Sequence, residues 1–180
     1  MGKVFDELDE PLSTWLLRQH VFFVASAPSG SDGHVNCSPK GLAGCFAVTG
    51  PREVAYLDLT GSGAETIAHV RQNGRIVLMF CAFTGRPRIV RLHGHAEIIT
   101  LEDPRYPELA ERFTQYEGAR CIIQVQVSRI SDSCGYGVPR LDFVDDRTQL
   151  SLDHVKRGPI GLAEYRRQMN SASIDGLPGL

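Results

Sequence analysis

Several features that would assign this chain to a specialised class of protein are missing from its sequence. Its 180 residues include 19 Lys and Arg against 21 Asp and Glu, with no basic block, so we expect no binding to a nucleic-acid backbone. The longest apolar run covers residues 76–83 and is too short to cross a bilayer. The first residues are acidic and lack an apolar core, which is not the pattern of a secretory signal. We therefore expect neither a membrane span nor secretion.

Cysteines are also few, and their spacing is uninformative. There are five, an odd number, and no two form a C-x-x-C motif, so neither a disulfide framework nor a zinc knuckle is predicted. Free thiols of this kind fit a reducing, cytoplasmic compartment. Cys81 and Cys121 lie in apolar stretches, and we expect both to fill the core as small hydrophobic side chains.

Apolar stretches alternate with Gly- and Pro-rich turns, a pattern typical of antiparallel hairpins. The predicted strands cover residues 21–25 and 34–38, 46–48 and 53–59, 75–83 and 88–100, and 120–130. Helices are predicted from Asp9 or Ser13 to about Arg18, over about 63–73 and 104–117, and in short pieces over 147–156 and 159–169. Gly74 is placed to end the second helix in the left-handed conformation.

These elements predict a mainly β protein with helices, of the α+β class. We expect a six-stranded antiparallel barrel, since closure of the sheet removes exposed strand edges. Residues 1–135 would form the barrel domain. Residues 136–180 have few apolar side chains and would form an arm with short helices, packed on the barrel or on a partner subunit.

The most informative motif is a strand that runs into a Gly-rich turn and then a helix, from Tyr56 to Val70. Free N–H groups at a helix start favour an anion, and the hydroxyl groups of Thr60, Ser62 and Thr66 add donors suited to phosphate. A capping box formed by Ser62 and Glu65 would explain these residues without any ligand. No Lys follows the glycines, and the dinucleotide pattern is absent, so both interpretations stay open.

A second candidate is the segment N-C-S-P-K-G at residues 36–41. Strand alternation places Asn36 and Ser38 on one face, and Lys40, between Pro and Gly, can direct its ammonium into a cleft. A lone Lys is more often a solvated charge. His93 and His95 share a strand face, but two imidazoles are a weak metal signal, so no metal site is predicted. Neither a G-x-S-x-G elbow nor a Cys–His pair indicates a hydrolase.

Taken together, these segments resemble the pyridoxamine 5′-phosphate oxidase-like superfamily of flavin-binding split β-barrels. The match covers about residues 22–130 and rests on the order and spacing of N-C-S-P-K-G, the strand-turn-helix of 56–70, the stretch 73–80, and 88–98 with its central Gly94. The motifs C-G-Y-G-V-P at 134–139 and S-I-D-G-L-P at 173–178 are similar to a bacterial branch of this superfamily that is distinct from the vitamin B6 enzyme itself.

The resemblance implies a homodimer with FMN at each subunit interface and a small-molecule substrate. It implies an FMN-dependent oxidoreductase in which the cofactor supplies the hydride chemistry. No catalytic acid or base is assigned. The residues carried over by position, which would line the cofactor's phosphate or ring, are Asn36, Ser38, Lys40, Tyr56, Asp58, Thr60, Gly61, Ser62, Gly63, Thr66 and Arg88.

Two departures from the family pattern widen the choice of ligand. Glu65 and Thr66 stand where the B6 oxidases carry basic phosphate-binding residues, and a carboxylate within about 5 Å of a phosphate costs about 1–3 kcal/mol. The C-terminal Arg and His pattern for pyridoxamine phosphate is absent, so that substrate is not expected. The deazaflavin F420 and haem stay open as ligands, as do a non-catalytic module that stores or senses one of them and a barrel that binds nothing. We expect residues 173–180 to pack over the site or the partner chain.

Overall fold

The computed structural model describes residues 2–180 as an antiparallel sheet flanked by helices, in agreement with the predicted α+β class. Within these residues, no helix is both long and apolar enough to cross a membrane. In chain order the elements are β1 (Val4–Phe5), α1 (Glu10–Leu17), β2 (Phe22–Ser26), β3 (Asn36–Lys40), β4 (Phe46–Gly50), β5 (Glu53–Leu59), α2 (Glu65–Asn73), β6 (Arg75–Cys81), β7 (Ile89–Thr100), α3 (Tyr106–Ala110), β8 (Ala119–Ser133) and α4 (Gln149–Met169).

The strands pair in the order β3-β2-β6-β7-β8-β5-β4, and β1 adds to β8. The three predicted hairpins are present as β2–β3, β4–β5 and β6–β7. The prediction of six strands in a closed barrel is wrong. The hairpins and β8 already make seven strands, β1 is the eighth, and over residues 2–180 no ladder joins the terminal strands β3 and β4.

Local features of the outer strands explain these differences. β3 contains Pro39, and proline, which has no N–H, is confined to sheet edges. On β4 the register shifts between Val48 and Gly50, and such an irregularity interrupts a ladder. β1 consists of Val4 and Phe5 alone, which is too short for any alternation of apolar residues to reveal it in the sequence.

Aromatic rings from both ends of the sheet meet in one core. Phe22 on β2 stacks on Phe80 of β6 with ring centroids 5.2 Å apart. Phe46 on β4 lies 5.4 Å from Phe22 and 5.0 Å from Phe80, and Tyr56 on β5 meets Phe22 edge-on at 5.6 Å. The sheet therefore curls around shared side chains without closing its backbone ladder. Cys81 and Cys121 are buried, as predicted.

The ends of α1 and α2 follow local sequence signals. Asp9 caps α1, because its carboxylate accepts a hydrogen bond from the N–H of Leu12 at 2.9 Å. Gly74 ends α2 with φ of 70°, which confirms the predicted left-handed cap. In the left-handed region a side chain is disfavoured, so this position suits glycine.

Of the later helices, one is shorter than predicted and one agrees with the prediction. The helix expected over 104–117 is present only as α3, because Thr114 leaves the helical path and donates its N–H to the carbonyl of Gly44 at 3.1 Å. α4 consists of two helical pieces joined at Gly158, whose φ is 63°, in agreement with the two short helices predicted there.

The end of the chain, residues 170–180, folds back as a compact loop. Ala172 and Pro178 form a β-bridge, and Leu180 donates its N–H to the carbonyl of Asn170 at 2.8 Å. The side chain of Leu180 packs against the main core. These contacts keep the C-terminal segment, hereafter the tail, on the body of its own chain.

Candidate functional site

A buried carboxylate lies at the centre of the site. Asp58 on β5 is 1% exposed and accepts hydrogen bonds from Lys40 Nζ at 2.8 Å and from Arg120 Nε at 2.6 Å. Lys40 ends the edge strand β3, and Arg120 lies at the start of β8. Because a buried charge is costly unless it is paired, these two contacts determine where both cationic side chains lie.

The lowered pKa of Asp58 shows that its two ion pairs outweigh the effect of burial. Burial alone would raise the pKa of this carboxyl, but the charges of Lys40 and Arg120, and the hydrogen bonds that they donate, hold the pKa below its ordinary value of 3.8. The native state therefore favours the ionised form more than the unfolded chain does. The stability that this contributes is present above pH 3.8 and is lost as the pH falls through the lowered pKa.

The site holds more positive than negative charge. Arg166 on α4 donates from Nε to Thr60 Oγ1 at 2.8 Å. Burial and the neighbouring charge of Arg120 lower the pKa of Arg166. Lys40 and Arg120 thus share one buried anion, Asp58, and Arg166 lies close enough to Arg120 for the two charges to interact. A further anion would be stabilised here, since opposite charges at short range favour the ionised form of each.

Arg120 and Asn170 hold the Gly-rich turn, and sequence reasoning missed both. Arg120 donates to the carbonyl of Gly63 and to Asn170 Oδ1, each at 2.9 Å. Asn170 is fully buried and donates from Nδ2 to the carbonyl of Gly61 at 2.8 Å. The sequence offered only an Arg at the start of an apolar strand and an Asn at a helix end, and neither is a specific signal.

Thr60, predicted to bind phosphate, lies beneath the turn and is 2% exposed. Its N–H and its hydroxyl both donate to the carbonyl of Gly118, at 2.8 and 2.9 Å. Its own carbonyl accepts from His154 Nε2 at 2.8 Å, so Nε2 carries the proton, since a carbonyl can only accept. The polar groups of Thr60 are therefore all engaged within the chain.

Four predicted residues meet where β3 passes the start of α2. Asn36 Nδ2 donates to Thr66 Oγ1 at 3.0 Å, and Ser38 Oγ donates to Asn36 Oδ1 at 3.0 Å. Lys40 ends the same strand. Their side chains form a polar row along the edge of the sheet, next to the first turn of the helix.

The predicted capping box of Ser62 and Glu65 is not formed. α2 begins at Glu65, and its N-cap is Ala64, which provides no side-chain hydrogen bond. Glu65 Oε1 instead accepts from the N–H of Ile174 in the tail at 3.3 Å. Its other oxygen lies so close to Gly63 that a side chain there would collide with it. The first N–H groups of α2 thus have no side-chain cap, and Glu65 is held by the tail.

The tail packs against α2 and the segment before β3 of its own chain. Asp175 accepts from the N–H of His34 at 2.9 Å and pairs with His34 Nδ1 at 2.6 Å. Arg71 on α2 donates to the carbonyl of Gly179. Together with the contact between Ile174 and Glu65, these bonds join the tail to α2 and to the segment before β3.

Tyr56 and Arg88 are placed differently from the polar row. Tyr56 is buried, with Lys40 Nζ 5.9 Å from its ring centre, and its backbone pairs with strands on both sides, so it offers little to a ligand. Arg88 pairs with Asp132 at 3.1 Å and lies 5.2 Å from the ring of Trp15. Lys40, by contrast, contacts Asp58 and Tyr56, so Arg88 and Lys40 share none of these partners.

A buried histidine lies on the inner side of α2. His69 has its Nδ1 3.0 Å from Ser26 Oγ, whereas its Nε2 has no hydrogen-bond partner within residues 2–180. Burial lowers the pKa of His69, although Asp175 and Glu65 act in the opposite direction. The ring is therefore neutral at pH 7. Within residues 2–180, no three His, Cys, Asp or Glu side chains lie close enough together to hold a metal ion.

Comparisons with known proteins address the family and the fold. A family model described as pyridoxamine 5′-phosphate oxidase matches residues 8–134. The pyridoxamine 5′-phosphate oxidase family protein ustO of Aspergillus flavus is 43% identical over an alignment 194 positions long. The alignment covers 98% of this chain and 77% of that protein.

Two solved structures share the fold. HupZ from Group A Streptococcus aligns with a TM-score of 0.56 and 20% identity, over 74% of this chain and 98% of its own. A protein from Mesorhizobium loti described as FAD-binding aligns with a TM-score of 0.51 and 11% identity, over 73% of this chain and 96% of its own.

Replacing Asp58 with Asn tests the central ion cluster. The variant leaves Lys40 and Arg120 without their counter-charge, and breaking a buried pair in this way costs about 3–5 kcal/mol. The free energy of unfolding, measured by urea denaturation, should fall by that amount. Asp153→Asn, which removes an exposed carboxylate from α4, is the matched control and should change stability little. Equal losses in the two variants would contradict a central role for Asp58.

His69 predicts a loss of stability in mild acid. Because its pKa is below the ordinary 6.5 in the folded chain, the unfolded chain takes up the proton first, and the free energy of unfolding falls below pH 6.5 by up to about 1.4 kcal/mol per pH unit. His69→Gln should flatten this slope in urea titrations between pH 5 and pH 7. His95→Gln removes an exposed imidazole and should keep the slope. An unchanged slope in His69→Gln would assign the effect to other groups.

Proposed function

Because the chain belongs to the pyridoxamine 5′-phosphate oxidase family, we propose that it binds a flavin, FMN, between Lys40 and the start of α2 and acts as an oxidoreductase on a small-molecule substrate. The observation that supports this most directly is the buried cluster of Lys40, Asp58 and Arg120, whose charge is net positive. It lies beside a helix start without a side-chain cap. Both features favour an anion such as the phosphate of FMN.

The polar row suits the anionic part of such a cofactor. Lys40 Nζ is bonded to Asp58, and its side chain is 23% exposed, so its remaining hydrogens are available to a ligand. Asn36, Ser38 and Thr66 add hydroxyl and amide groups within one hydrogen-bond length of each other. The adverse charge of Glu65 is partly offset, because its carboxylate accepts a hydrogen bond from the tail.

In the proposed site, each residue of the cluster has its own role in binding the cofactor. Hydride transfer is the chemistry that a bound flavin supplies. Lys40 binds the negative charge of the cofactor, Asp58 orients Lys40, and Arg120 keeps Asp58 in place. Arg120 also holds the carbonyl of Gly63, which fixes the turn in front of α2. No side chain is assigned as a catalytic acid or base.

We further propose that the complete site requires two subunits. The resemblance assigns both Lys40 and Arg88 to the cofactor, yet within one chain Arg88 contacts Asp132 and Trp15 instead. In the proposed arrangement, a single flavin that touches both residues lies between two copies of the chain, related by a two-fold axis. The thiols of all five cysteines are free, which suits a cytoplasmic homodimer.

Lys40→Ala tests the cofactor site. The variant loses a charge-assisted hydrogen bond to the phosphate, so its affinity for FMN should fall by about ten- to a hundredfold. Quenching of flavin fluorescence during titration measures this, with FAD and F420 titrated in parallel. Lys156→Ala removes an exposed charge from α4 and serves as the control.

Equal affinity of both lysine variants for FMN would contradict the assignment of Lys40. Binding of FAD or F420 in place of FMN would keep the site and change the cofactor. The proposed oxidoreductase activity is tested separately, by adding NADH and NADPH to the flavin-loaded protein. Failure of both donors to reduce the flavin would favour the non-catalytic alternative.

Mixing two defective variants tests the shared site. Lys40→Ala and Arg88→Ala should each bind FMN weakly alone. If each site combines Lys40 of one subunit with Arg88 of the other, random mixed dimers regain native sites at about one quarter of all positions. Co-expression with two different tags, followed by FMN titration of the mixture, measures the recovery. A mixture that binds no more FMN than its parents would rule out this arrangement.

A further inference from the structure

A second cleft, of about 570 Å³, lies apart from the polar row. It is formed by the end of α1, the turn between β6 and β7, and the extended segment that follows β8. None of Asn36, Lys40, Asp58 or Thr66 lines it. The side chains that matter for the argument are Trp15, Arg18, Phe83, Arg86, Leu141 and Phe143. Its volume is within the range of small-molecule sites.

The aromatic walls of this cleft are held by neighbouring side chains. The guanidinium of Arg88 lies 5.2 Å from the ring centre of Trp15 and is itself paired with Asp132 at 3.1 Å. Phe143 stacks on His20, another lining residue, with ring centroids 3.7 Å apart and planes within 3°. A ligand would therefore meet rings that are already positioned, and preorganisation lowers the entropic cost of binding.

The extended segment is also tied down. Leu141 donates its N–H to the carbonyl of Phe83 at 3.1 Å, and Asp146 accepts from the N–H of Ala43 at 3.1 Å. The wall that carries Phe143 lies between these two bonds. The cleft is thus a preformed feature of the chain, although one of its walls has no regular secondary structure.

Charge sets the kind of ligand that the cleft would take. Arg18 and Arg86 both line it, and within residues 2–180 neither forms a salt bridge. Asp142 is the carboxylate among the lining residues, and His20 is the other titratable group there. Two guanidinium groups against one carboxylate leave a net positive charge. A guanidinium matches the fork of a carboxylate.

We propose that this cleft binds a small planar aromatic carboxylate. Its ring would pack against Trp15, Phe83 and Phe143, since aromatic faces and edges favour one another. Its carboxylate would meet Arg18 and Arg86 at the mouth. The cleft shares no lining residue with the proposed flavin site, although Arg88, assigned to that site, packs against Trp15, so FMN is included in the test.

Titration with 2-naphthoate tests the proposal on the full-length protein. Trp15 is the only tryptophan in the chain, so its fluorescence reports on the cleft directly, and calorimetry gives the stoichiometry. We expect saturable binding of one naphthoate per chain with a change in Trp15 emission. The neutral naphthalene-2-carboxamide, and the double variant Arg18→Ala/Arg86→Ala, should each lower the affinity by about tenfold. Arg75→Ala, an exposed arginine outside the cleft, should bind naphthoate like the native chain.

The proposal is overturned if naphthoate does not saturate the native chain, if the amide binds as tightly as the acid, or if the double variant binds as well as Arg75→Ala. Displacement of naphthoate by saturating FMN would also overturn it, because the cleft would then belong to the flavin site. Lys40→Ala separates the two proposals, since it should weaken FMN and leave naphthoate binding intact.

Discussion

The buried carboxylate of Asp58 is the constraint on which the site depends. It lies in the core of the sheet, where an unpaired charge is costly, and it is neutralised by Lys40 from one sheet edge and by Arg120 from the start of β8. Two cations exceed the charge that one carboxylate balances, and of the two only the Lys40 side chain is partly exposed. Arg120 uses its donors on Gly63 and Asn170, so one ion cluster joins the sheet, the Gly-rich turn and the tail.

The C-terminal segment is a structural part of this site. Asn170 holds the carbonyl of Gly61, Arg166 reaches the hydroxyl of Thr60, and His154 donates to the carbonyl of Thr60. The turn in front of α2 is therefore shaped from behind by α4 and the tail.

The resemblance implies basic residues at the start of α2, where this chain has Glu65 and Thr66. Positive charge is supplied instead by Lys40 from β3, Arg120 from β8 and Arg166 from α4. In the proposed site an anion would meet Lys40, with Arg120 and Arg166 behind the turn, while Glu65 is held by the tail.

Local pattern was enough to predict the three hairpins and the cap at Gly74, because each depends on residues close in sequence. The meeting of Asn36 with Thr66 was implied by the family resemblance, since 30 residues separate the two. The number of strands, the open ladder and the uncapped start of α2 depended on what packs against each segment. Arg120 and Asn170 escaped prediction because their partners lie 62 and 109 residues away. No periodicity spans such a distance. Sequence by itself thus determined the elements and the family, and only tertiary structure decided which charges meet, since burial alone makes their pairing obligatory.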